Sequence, residues 1–131
     1  MEPWQGTFPA TARAAKAIRG EMGAVARRCG LSEQRVGDVE LAVSEAATNV
    51  VVHAYRDSEP GTVTARASSS HGQLRIVISD HGAGMAPRMD SPGLGLGLPI
   101  IASVADRVEV RSPEKGGTEV HITFPCPAAG A

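Results

Sequence analysis

Five glycines fall within the nineteen residues from Asp80 to Leu98, in two clusters, the first opened by an acid: Asp80-His81-Gly82-Ala83-Gly84-Met85 and Gly93-Leu94-Gly95-Leu96-Gly97-Leu98. They follow directly on the most strand-like run in the chain, Leu74 to Ser79. Glycine at that density removes Cβ atoms where a backbone must bend sharply or approach a ligand closely. A strand that empties into a glycine loop ahead of a helix start is a common way to build a nucleotide site, because the first N–H groups of the helix face the phosphates. The stretch anticipates an ATP pocket, and the rest of the chain has to supply its walls.

A chain of 131 residues suits one domain, spanning 1–131. Apolar residues make up 42 % of it and charged residues 21 %, the balance of an ordinary globular protein. Aromatics are only 3 %, so the core has to come from Ala, Val, Ile and Leu. A formal net charge of −1 leaves no electrostatic footprint for nucleic acid or anionic lipid, and neither is expected as a partner. No apolar run approaches a membrane span, and Met1-Glu2-Pro3-Trp4 does not begin a signal peptide, so a cytoplasmic location is expected. Cys29 and Cys126 show neither metal-ligand spacing nor a disulfide framework and read as reduced thiols.

Trp4 and Phe8 suggest a brief edge strand, and Pro9 suits the first turn of a helix, where its missing N–H is unneeded. From Thr11 to Cys29 the apolar positions Ala14, Ile18, Met22, Val25 and Cys29 recur every three or four residues, an amphipathic helix ended by Gly30. Ser32 caps a second helix running to about Ala54, with Val36, Val39, Val43, Ala46, Ala47, Val50 and Val51 as its buried stripe. On that helix Glu45, Asn49 and His53 are each four apart and line one polar edge. Such an edge is ordinarily just solvent-facing, but Asn is a mediocre helix former, which makes its mid-helix position suggestive.

Thr62 to Ala67 alternates as a strand, Ser68 to Gly72 makes a hairpin turn, and Leu74 to Ser79 is apolar enough for a central strand. Gly97 to Ala105 reads as a helix, with Leu98, Ile101, Ala102 and Ala105 inward and Pro99 in its first turn. Asp106 to Ser112 and Thr118 to Phe124 form a last hairpin around Pro113–Gly117. This order predicts a two-layer α/β sandwich, a mixed, mostly antiparallel sheet with helices on one face.

Each motif alone is weak. No P-loop lysine is present, the second glycine cluster follows a loop rather than the strand a Rossmann site needs, and the protein-kinase motif set is absent. The ordered combination is more informative: Glu45-x-x-x-Asn49, Asp80-x-Gly82-x-Gly84, Gly93-x-Gly95-x-Gly97, then Gly116-Gly117-Thr118. It resembles the ATPase family shared by histidine kinases, type II topoisomerases, heat-shock chaperones and mismatch-repair proteins, whose four conserved boxes it matches in order between Ser32 and Phe124. The resemblance implies the Bergerat-type ATP-binding fold. Within that family the chain is most similar to the small anti-sigma-factor serine kinases of bacterial switches. The run Glu-Ala-Ala-Thr-Asn-Val-Val-Val-His at 45–53, the short loop between the glycine clusters and the Trp4–Phe8, Pro9 and first-helix arrangement carry that likeness.

The resemblance implies roles. Glu45 is the general base toward an acceptor serine, and Asn49 holds Mg²⁺ through its side-chain oxygen. Asp80 accepts from the adenine amino group, with Gly82, Gly84 and Met85 beside the base and Thr118 completing the pocket. Gly93, Leu94, Gly95, Leu96, Gly97 and Leu98 present backbone to the phosphates. His53 matches a recurrent position and is read as structural, while Arg88, Arg107 and Lys115 are candidates for the γ-phosphate on location alone. The implied function is an ATP- and Mg²⁺-dependent protein-serine kinase that phosphorylates an anti-sigma-factor antagonist and sequesters a sigma factor, as a homodimer. The alternative is an ATP-gated binding module that transfers no phosphate. Histidine autokinases and topoisomerase-type motors fit less well, for want of an acceptor-His dimerisation helix or a transducer domain.

Overall fold

Alternating side chains give every strand here an apolar face, and the hairpin connections decide how those faces align. The computed structural model describes residues 2–54, 61–81, 94–113 and 116–129, the side chains at 53, 54, 94–97 and 129 excepted. Strands β1 (Trp4–Pro9), β2 (Thr62–Ser70), β3 (Gln73–Asp80), β4 (Arg107–Arg111) and β5 (Thr118–Pro125) form one sheet in the order β1-β2-β3-β5-β4, every pairing antiparallel. Helices α1 (Ala12–Arg28), α2 (Glu33–Asn49) and α3 (Leu94–Val104) make the second layer, giving the predicted α/β sandwich.

The register explains the core. Ala65, Ile78, Val120 and Val110 lie in one row across the sheet, and Ala67, Ile76, Ile122 and Val108 in the next. These rows meet Ile18, Met22 and Val25 of α1 and Val36, Val39 and Val43 of α2, all buried in one cluster. Each such side chain, fully buried, contributes about 1.5–3 kcal/mol. Trp4 and Phe8 stack over Gly6 on β1, ring centroids 6.5 Å apart, and pack on the same core. The opposite sheet face carries Arg66, Arg75, Arg107, Glu109, Arg111, Glu119 and His121.

Several local expectations change. Pro9 ends β1 opposite Thr62 instead of opening α1; an edge strand tolerates its missing N–H. Thr11 caps α1, its hydroxyl accepting from the Ala14 N–H at 3.1 Å. Ser68–Ser70 continue β2, and the turn shrinks to His71–Gly72, whose φ values of 53° and 76° fit a two-residue hairpin loop. Ser32 caps α2 as expected, but the regular helix stops at Asn49 and continues as a π-helical turn, Val50–Ala54. The third helix starts at Leu94 rather than Gly97, so Pro99 falls inside it and not in its first turn. Packing of α3 along α2 outweighs the poor helix propensity of its glycines. Ile101 is buried and Leu98 partly so, whereas Ala102 faces solvent, one residue around the helix from Ile101.

Candidate nucleotide-binding site

Beyond the two apolar rows lies a third, Val63–Asp80–Thr118, on the same helix-facing side of the sheet. Asp80 and Thr118 are therefore direct cross-strand partners, with Cβ atoms on the order of 5 Å apart. Both are buried, Asp80 at 2 % exposure and Thr118 at 0 %. An acid and a hydroxyl thus stand side by side where the hydrophobic core ends. Gly117, just before Thr118, has φ +84°, and a Cβ built there would fall onto the Asp80 carbonyl oxygen and within 3.2 Å of His81 Cα. Two backbones cross at that point with no room for a side chain.

Glu45 is half-buried and Asn49 is buried at 7 % exposure, one turn apart on the same side of α2. A π-helical turn, Val50–Ala54, follows Asn49, and the side chain of His53, the third member of the expected edge, lies outside the described residues. Both α2 and its π-helical continuation pack on β3, and α2 also packs on β5, so the helix with Glu45 and Asn49 rests on the strands with Asp80 and Thr118. Alongside lies α3, whose first turn, Leu94–Gly97, leaves N–H groups without helical acceptors. Gly95 and Leu96 stand in that turn, and Leu98 follows it, partly buried against the core.

Gly82, Gly84, Met85 and Gly93 lie outside the described residues, as do Arg88 and Lys115. Arg107 is corrected by the register: it shares the opposite sheet face with Arg75, Glu109, Arg111 and His121 and does not join Asp80. Among the described residues no three His, Cys, Asp or Glu side chains gather to hold a metal. The buried Asn49 amide oxygen suits Mg²⁺, which takes few protein ligands and draws the rest from phosphate and water.

Two features escaped the sequence reading. Cys29 and Cys126 meet at the end of α1, the Cys126 thiol donating to the Cys29 carbonyl at 3.8 Å. Burial, with a hydrogen bond to Cys126, pushes the Cys29 thiol up to about 12. Arg35 reaches from α2 to the end of α3. Neither contact has a local signal, since the partners are 97 and 69 residues apart. Among the described residues no helix is long and apolar enough to cross a membrane.

Comparison with known proteins covers the same region. The chain is 33 % identical over 98 residues to an anti-sigma F factor of Clostridium novyi, spanning 66 % of this chain and 68 % of that one. It is 31 % identical over 121 residues to the serine-protein kinase RsbW of Bacillus velezensis, covering 81 % and 74 %. In fold it superposes with a TM-score of 0.73 on the RsbU and RsbW domains of a Mycobacterium tuberculosis protein, at 20 % identity, covering 95 % of this chain and 32 % of that one. Residues 8–124 match the histidine kinase-like ATPase domain, a span that contains the Glu45–Asn49 helix, the Asp80–Thr118 pair and the glycine helix together. The chain belongs to the histidine kinase-like ATPase family.

Proposed function

We propose that this chain is a cytoplasmic Mg²⁺- and ATP-dependent protein-serine kinase and anti-sigma factor, a single domain acting as a homodimer on a small antagonist protein and on a sigma factor. The observation that carries the nucleotide part is the buried Asp80–Thr118 pair at the open end of the core. A nearly dry carboxylate accepts the amino hydrogen of adenine and opposes the keto oxygen of guanine lone pair to lone pair, so it selects the base. Gly117 keeps β5 close enough for Thr118 to share that wall. The first turn of α3, with Gly93 before it, offers N–H groups to the phosphates, and Gly82, Gly84 and Met85 complete the base side. Mg²⁺, held by Asn49, supplies positive charge against the phosphates.

Glu45, one turn before Asn49, takes the proton of the acceptor serine as its Oγ bonds to the γ-phosphorus; the β–γ bond breaks and ADP leaves. Positioning and charge stabilisation do most of this work, and such a base adds about 10²–10⁴-fold. The test uses a small partner recovered on the immobilised chain and incubated with γ-labelled ATP. The native chain should label a partner serine, and Glu45→Ala should bind ATP normally by calorimetry while labelling falls by about that factor. Undiminished labelling would remove Glu45 as base. Capture that depends on ATP but yields no label with the native chain would favour the binding module over the kinase.

A further inference from the structure

Arg35 stands in the first turn of α2, yet most of its contacts lie elsewhere. One guanidinium nitrogen, Nη1, donates to the Val104 carbonyl and to Asp38 Oδ2, both at 2.8 Å. The other, Nη2, donates to Asp106 Oδ1 at 3.0 Å. The guanidinium carbon lies 5.3 Å from the centroid of the Phe124 ring, and Phe124 is fully buried on β5. Val104 is the last residue of α3, where carbonyls have no helical donor and a positive charge is favoured. Arg35 thus caps the C-terminus of one helix from the N-terminus of another. A lysine, with one compact charged head, cannot hold these acceptors in a plane.

The other end of α3 is tied differently. Pro99 lacks the N–H that would bond the Gly95 carbonyl, so the first turn is joined to the rest of the helix by fewer hydrogen bonds. The helix is about 16 Å long, clamped by Arg35 at its last residue. Glu45 and Asn49 are on α2, the same element that carries the clamp.

We propose that Arg35 is a positioning residue for the nucleotide phosphates: by pinning the C-terminal end of α3 to α2, it sets where the first turn of α3 stands relative to Glu45 and Asn49. The inference rests on the nucleotide site proposed above. Losing the clamp lets the helix shift along α2, and the phosphate-facing N–H groups shift with it.

The experiment measures ATP affinity by calorimetry, and phosphoryl transfer separately, at a temperature where every variant is folded by circular dichroism. Arg35→Met keeps an unbranched stem over Phe124 and removes the donors. It should weaken ATP binding about three- to thirty-fold, the range in which residues outside a site modulate it. Arg35→Lys should fall between Met and the native chain. Asp106→Ala, at a half-exposed position that tolerates truncation, should give a smaller loss and add nothing in combination with Arg35→Met. A lower melting temperature with ATP affinity within about twofold of native in both single variants would overturn the inference and leave the nucleotide site standing. If the native chain binds ATP but transfers no phosphate while the variants still lose affinity, the kinase step falls and the role of Arg35 holds. If the native chain binds no ATP, both fall.

Discussion

At residue scale the sharpest constraint is Gly117, because its backbone serves two purposes. It takes a left-handed φ that other residues adopt at a penalty, and it lets β5 enter the sheet against the Asp80 carbonyl. Any Cβ there has to push the Asp80–His81 backbone away, and Asp80 carries the carboxylate assigned to adenine. Gly117→Ala should therefore lower stability by about 1–3 kcal/mol, the scale of such backbone strain, and weaken ATP binding in the fraction that stays folded. Thermal unfolding with calorimetry checks both; normal ATP affinity in a destabilised variant would show that the Asp80 wall does not need this close approach. The sequence shows two glycines before a threonine, but not that the second lies on the Asp80 carbonyl. That takes the strand register, which pairs residues 38 positions apart.

At element scale the legible parts were those with strong periodicity or clear punctuation. Ala14, Ile18, Met22, Val25 and Cys29 are all buried, as a single helical stripe predicts, and the buried face is wider than that stripe by Ala15, Gly23 and Ala26. The strands and their apolar faces were also readable, and with them the sandwich. The helix ends around the site were less so. Nothing in Asn49-Val50-Val51-Val52-His53 announces a change from α to π hydrogen bonding, and the glycines that argued for a loop at 93–97 are in part drawn into α3 by packing on α2. Likewise Ser68–Ser70 looked like a turn, yet ladder pairing with Gln73–Arg75 holds them in β2. That pairing forces the loop into His71–Gly72, with His71 at φ 53°. A left-handed two-residue loop favours Asn at its first position. His71→Asn should thus stabilise the fold by roughly 0.5 kcal/mol, seen as a melting temperature higher by about 2 °C. A lower melting temperature would mean that the His71 side chain makes a contact worth more than its backbone strain.

At the scale of the whole molecule the sheet separates two chemistries. Its helix-facing side holds the apolar rows and ends in Asp80 and Thr118; its other side is a charged surface with Arg66, Glu119, His121, Glu109 and Arg111 in contact. Glu119 accepts from His121 Nε2 at 3.0 Å and lies 3.6 Å from Arg66. The hydrogen bond to His121 holds its carboxyl below the ordinary value of 4.5, against a smaller opposing effect of burial. A carboxylate whose folded pKa is depressed stabilises the fold above its unfolded pKa, and that stabilisation disappears as pH falls through the folded value. The pair is partly exposed, so its contribution at neutral pH is under about 1 kcal/mol. Glu119→Gln should therefore be slightly less stable than the native chain in urea at neutral pH, and the difference should shrink as the pH is lowered through the acid range and the Glu119 carboxylate is protonated. Because Glu119 is on the face opposite Asp80, the same variant should bind ATP with native affinity. Lost ATP binding in folded Glu119→Gln would mean that the two faces are coupled through β5, and a stability gap that widened in acid would mean that Glu119 is not the group whose protonation is felt.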